Sequence, residues 1–68
     1  MNTKFLEYDV VRLIHSLTKD IPKGTLGTVL IVFAQQHPRY IVEFIDDAGE
    51  SLAVLTVDEK DLELFIKA

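Results

Sequence analysis

The chain reads as an all-β protein, a small antiparallel barrel or sheet of five short strands. Two observations predict this. From Asp20 to Glu50 turns and strands alternate: Ile21-Pro22-Lys23-Gly24, a run opened by Gly27-Thr28-Val29, a His37-Pro38 break, the run Tyr40-Ile41-Val42-Glu43-Phe44, and an Asp47-Ala48-Gly49 turn. Proline presets one backbone angle and glycine admits the left-handed conformation that tight turns need, so such residues punctuate strands. At the far end Leu62, Leu64 and Ile66 interleave with Glu63 and Phe65, the period of a strand placed to close an open edge.

Residues 1–7 form a short lead-in with room for one helical turn over Phe5 and Leu6. Tyr8 to Ile14 is the first strand, because Val10, Val11, Leu13 and Ile14 crowd a β-branched run. His15 to Gly24 is polar and broken, a long first loop that contains the Ile21–Gly24 turn. Leu26 to Phe33 is the second strand, where Gly27 marks a bulge or a close backbone approach. Ala34 to Pro38 turns the chain into the third strand, Tyr40 to Ile45, with Val42 and Phe44 on one face and Ile41, Glu43 and Ile45 on the other.

Asp46 to Gly49 makes a tight hairpin, a type I turn with Gly49 in a bulge, and Ser51 to Val57 is the fourth strand. Asp58-Glu59-Lys60-Asp61 admits two readings. Either it is a short 3-10 turn before a last strand Leu62 to Ile66, or Asp58 caps a terminal helix reaching Lys67. The alternation after Leu62 favours the turn and strand.

At 68 residues the chain is expected to be one domain, 1–68. It stands near the lower limit of independent folding, since a domain of this size buries only about 60% of its unfolded surface. The absence of cysteine excludes disulfides, thiolate metal sites and cysteine nucleophiles, and favours the cytoplasm. No run approaches the roughly 20 apolar residues of a membrane span, and no basic stretch followed by an apolar one opens the chain. A soluble, unprocessed chain without membrane association is expected. Eleven acidic against seven basic side chains give a net charge of −4. That balance opposes nucleic acid, whose binding rests on phosphate neutralisation, and favours a basic protein partner.

No motif for chemistry survives inspection. A calcium loop spreads its oxygen ligands over about twelve residues, so turn geometry alone accounts for Asp46-Asp47-Ala48-Gly49-Glu50. His15 and His37 lie far apart with no ligand spacing. Ser16 beside His15 has no orienting acid, and neighbours on an extended chain face opposite ways. Gly24-Thr25-Leu26-Gly27-Thr28 lacks the lysine and helix of a phosphate cradle. The expectation is a protein that is not an enzyme, with no cofactor and no metal.

The feature of greatest weight is apolar excess. If Val29, Ile31, Val42, Phe44, Leu55 and Val57 point inward, strict alternation sends Leu30, Val32, Ile41, Ile45, Leu52 and Val54 outward. Those six residues form a candidate interface for a homodimer or another protein, unless bulges or terminal segments cover them. A second candidate surface is acidic: Asp46, Asp47, Glu50, Asp58, Glu59, Asp61 and Glu63. The competing nucleic-acid reading needs Arg12, Lys19, Lys23 and Arg39 as a positive patch, with Tyr8 and Tyr40 as stacking faces.

Five short strands, a long first loop, a Gly-x-Val start to the second strand and a helical turn before the last resemble the SH3-like barrel in its KOW-like bacterial variants. More narrowly, Tyr8-Asp9-Val10-Val11-Arg12-Leu13, Asp20-Ile21-Pro22, Gly24-Thr25-Leu26-Gly27-Thr28-Val29, Tyr40-Ile41-Val42-Glu43-Phe44 and Ala53-Val54-Leu55-Thr56-Val57 are similar to a family of short bacterial proteins of unknown function. The resemblance implies a five-stranded SH3-like barrel, no established activity, and a place among accessory or mobile genes. Nucleic-acid-binding relatives of that barrel carry basic loops, whereas the 46–50 turn here carries Asp46, Asp47 and Glu50. The combined expectation is a cytoplasmic binding module, of antitoxin or immunity type, facing a basic partner.

Overall fold

The structure, a computed structural model, describes residues 2–68. The chain forms β1 (Val10–Leu13), β2 (Leu26–Phe33), β3 (Arg39–Ile45), β4 (Ser51–Asp58), a 3-10 turn (Glu59–Asp61) and β5 (Leu62–Ile66). All pairings are antiparallel and the sheet order is β4-β3-β2-β1-β5. Sequence reasoning thus locates β2 and β5 to the residue, and places β3 and β4 to within one. The last segment is the turn and strand rather than a helix, and the Asp58 side chain caps nothing. No ladder joins β4 to β5, so the sheet is open at two edges, where a closed barrel was expected.

One face of the sheet is the core. Val11 and Leu13 from β1, Val29 from β2, Tyr40, Val42 and Phe44 from β3, Val57 from β4 and Leu62 from β5 are buried there. Two residues outside the strands complete it. Phe5 lies edge-to-face on the Tyr40 ring, with centroids 5.3 Å apart, and Ile21 enters from the first loop. The lead-in is therefore not a helical turn over Phe5 and Leu6: Phe5 plugs the core, and a turn at Glu7 and Tyr8, closed by the Asp9 N–H on the Leu6 carbonyl at 3.1 Å, leads into β1.

The first strand is shorter than expected because Tyr8 sits at φ 70°, a left-handed position that interrupts extended backbone. Its N–H still bonds the Val29 carbonyl at 2.7 Å, and the Val29 N–H bonds the Asp9 carbonyl at 2.9 Å. In the first loop the turn runs from Pro22 to Thr25, one residue later than expected: the Thr25 N–H closes on the Pro22 carbonyl at 3.1 Å. That shift puts Gly24, at φ 92°, in the third position, where a left-handed angle favours glycine.

Two bulges decide which side chains face out. The β2–β3 ladder pairs Val29 with Val42 and then Ile31 with Ile41, leaving Leu30 as an extra residue. Beyond it the alternation reverses. Ile31, expected inside, is exposed, and Val32, expected outside, packs against the core opposite Tyr40. The β3–β4 ladder slips similarly at Leu52, between the Phe44–Ala53 and Ile45–Ser51 pairs. Gly27 is not bulged; it is a close approach. A Cβ there would stand 2.5 Å from Val42 Cγ1 and 2.9 Å from Phe44 Cδ1.

Candidate functional site

The sheet face opposite the core is where apolar side chains meet solvent. Cross-strand pairing arranges that face in rows: Ile31 beside Ile41 beside Thr56, Leu26 beside Ile45 beside Ser51, and Val10, Thr28, Glu43 and Val54 in a third. Leu52 and Val54 are 44% and 53% exposed and Ile31 is 47%, so this corner is wet. Of the six residues expected to form an interface, Leu52 and Val54 are exposed; Leu30, Ile41 and Ile45 are half-buried; Val32 has turned inward. Sequence reasoning missed Ile31 and Phe33, because the Leu30 bulge leaves no mark in the apolar pattern.

A groove of about 740 Å³ crosses this face between the Pro22–Thr25 turn and the Asp46–Gly49 turn. Leu26, Ile45, Leu52 and Phe65 supply its apolar lining, with Lys23 on one side and Asp46 and Asp47 on the other. Arg12 also lines it. Its guanidinium lies over the Phe65 ring at 5.4 Å and its Nε–H donates to Glu63 Oε2 at 2.9 Å. Both members of that ion pair are near half exposed, so water screens the pair and it holds position more than it stabilises.

The seven acidic residues do not act as one free surface. Asp46 Oδ1 accepts the N–H groups of Ala48 and Glu50, both at 2.9 Å, and so fixes the hairpin turn. Asp58 pairs with Arg39 at 3.0 Å. Glu63 is held by Arg12, and Glu59 Oε2 accepts from the Lys4 N–H at 3.0 Å and from the Tyr40 hydroxyl at 2.5 Å. Among the described residues, Asp47, Glu50 and Asp61 are the members of the set whose carboxylates have no hydrogen-bond or ion-pair partner.

The nucleic-acid set fares worse. Tyr40 is buried to 0% exposure and cannot stack on a base. Burial, with the Glu59 hydrogen bond second, pushes its phenol up to about 12. Arg12 and Arg39 are each engaged by a carboxylate, and Lys19, Lys23 and Tyr8 are exposed, Lys23 on the groove that Arg12 also lines. Ser16 is structural: its Oγ accepts the Lys23 N–H at 2.9 Å and braces the first loop. Among the described residues no group of three or more His, Asp or Glu side chains is placed to hold a metal ion. Among the described residues no helix is long and apolar enough to cross a membrane.

Among the described residues the one buried charged residue is Asp9, which sequence reasoning did not single out. Its Oδ1 accepts the Ala68 N–H at 2.8 Å, its Oδ2 accepts the Leu6 N–H at 2.9 Å, and Lys67 Nζ stands 3.6 Å away. The Ala68 and Leu6 hydrogen bonds, in that order, hold its carboxyl below the ordinary 3.8 against the opposing effect of desolvation. The available signal was local: a lone acid directly before a β-branched run.

A five-stranded antiparallel sheet with a braced first loop and a wet apolar face defines a class of small all-β module rather than a specific activity. The family is nonetheless clear. Residues 7–64 match the model of the domain of unknown function DUF4926, and the chain belongs to that family. No curated protein matches the chain.

Proposed function

We propose that residues 1–68 form one SH3-like domain that works without catalysis in the bacterial cytoplasm, binding a basic protein partner in the manner of an antitoxin or immunity protein. The strand order supports the SH3-like reading: β1 lies between β2 and β5, and the two edge strands are consecutive, joined by a single 3-10 turn. The observation that carries the binding role is the corner where exposed Leu52 and Val54 adjoin the hairpin bearing Asp47 and Glu50, carboxylates without partners among the described residues. Apolar contact there supplies affinity and the free carboxylates select a basic partner and speed its approach.

The test is capture from bacterial cytosol on the immobilised protein. A basic protein retained at low salt, released as salt rises, and lost when Asp47→Lys, Glu50→Lys and Asp61→Lys are combined is the expected result. Retention of no such protein, or equal retention by the charge-reversed variant, overturns the reading.

A further inference from the structure

The two free edges of the sheet differ in how they are guarded. Proteins protect an unpaired strand with charges, proline or bulges, since its open N–H and C=O groups otherwise recruit another strand. The β5 edge has such guards: Glu63 within it, a bulge against Val10 and Val11, and Lys67 just beyond. The β4 edge has them only at its ends, the bulge at Leu52 and the charge of Asp58. From Ser51 to Val57 it holds neither charge nor proline, and its one bulge lies at Leu52, so Ala53 to Val57 pairs regularly with β3.

The open groups on β4 can be assigned. The Glu59 N–H bonds the Pro38 carbonyl at 3.1 Å in the same register as the β3–β4 ladder. Because antiparallel pairs alternate, the backbone groups of Ala53, Leu55 and Val57 face β3, and those of Val54 and Thr56 face outward. Among the described residues no other backbone or side chain bonds to them.

Charge then chooses the occupant. One end of this bare edge is the hairpin with Asp46, Asp47 and Glu50; the other carries Asp58, Glu59 and Asp61 against Arg39 and Lys60. A second copy docking its own β4 antiparallel would set acidic hairpin against a net-acidic end, twice. We infer that β4 is a receptor for an extended, uncharged strand of the partner protein, bearing a basic cluster at the end that lies beside the Asp46–Glu50 hairpin. The strand adds to the sheet through the N–H and C=O groups of Val54 and Thr56. This inference rests on the basic-partner reading and specifies how that partner is held.

The probe is a labelled peptide, four Thr-Val repeats followed by Lys-Arg-Lys, whose antiparallel addition to β4 sets the basic end beside the Asp46–Glu50 hairpin, titrated against the whole protein by fluorescence anisotropy. Two N-methylated versions, blocked at alternate amides, separate strand pairing from surface adhesion. The expected result is binding that one methylated version keeps and the other loses by about tenfold or more, since only alternate amides face the receptor edge. Val54→Pro should weaken the unmodified peptide comparably, and Thr56 N–H exchange should slow when peptide is bound. Equal binding of both methylated versions, or no binding at millimolar peptide, overturns the strand mode while leaving the basic-partner reading intact. Equal binding of a Glu-Asp-Glu peptide overturns both. A dimer in light scattering that Val54→Pro dissociates would put a second copy on the edge and overturn the inference as well.

Discussion

The Tyr40 hydroxyl donates to Glu59 Oε2 at 2.5 Å, and the same oxygen accepts the Lys4 N–H at 3.0 Å, so one carboxylate ties β3 to the lead-in segment that carries Phe5. The tie makes the fold sensitive to alkali. Tyr40 has an ordinary value of 10.0 and is raised to about 12, so between those values the folded protein keeps a proton that the unfolded chain releases. Stability is full below about pH 10 and falls as pH rises toward 12. Urea midpoints across this range should decline in the parent and flatten in Tyr40→Phe, which should itself cost roughly 2 kcal/mol at neutral pH for a lost hydrogen bond to a charged acceptor.

Asp9 should govern the acid side. Its folded value lies below 3.8, so its contribution is present above that pH and is lost as pH falls through the lowered value. Asp9→Asn keeps the shape, but a single amide oxygen cannot accept from both Leu6 and Ala68, and its NH2 meets a donor. A loss of about 2 kcal/mol at pH 7, with a shallower dependence on pH below 4, is expected in denaturant titrations.

Gly27 should tolerate no side chain. A methyl group there meets Val42 Cγ1 at 2.5 Å and the Glu43 carbonyl oxygen at 3.0 Å, and the second contact is backbone that cannot rotate away. Gly27→Ala should destabilise by about 2 kcal/mol, as overpacked cores do. Adding Val42→Ala should recover only part of that, and a double-mutant cycle measures the part due to Val42.

The Leu30 bulge makes neighbouring residues opposite in consequence. Ile31→Lys puts charge on the wet face and should leave the thermal midpoint nearly unchanged, within about 0.5 kcal/mol. Val32→Lys drives charge toward Tyr40 and should cost about 3 kcal/mol or abolish folding. Equal tolerance at the two positions would mean that β2 runs without the bulge.

Strand positions were legible because turn residues and β-branched runs are local signals, and β2, Leu26–Phe33, is the clearest case. Strand facing was legible only as far as the first slip. Val29, Val42, Phe44 and Val57 are buried as alternation requires, but nothing in Leu30-Ile31-Val32 reveals which apolar residue is the extra one. Phe5 and Asp9 escaped for another reason: each owes its burial to partners far along the chain, Tyr40 in one case and Ala68 in the other. The acidic surface was overcounted because sequence shows charges but not the arginines, Arg12 and Arg39, that reach across the sheet to meet them.

The pairing of Val10 with Ile66 and Leu13 with Leu62 places the first strand against the last. During synthesis β1 emerges early and waits, with one side bare, until the far end of the domain has left the ribosome. Assembly therefore completes after translation of the domain instead of along with it, and the interval in which β1 lacks a neighbour is the time when chaperones or aggregation compete for the chain.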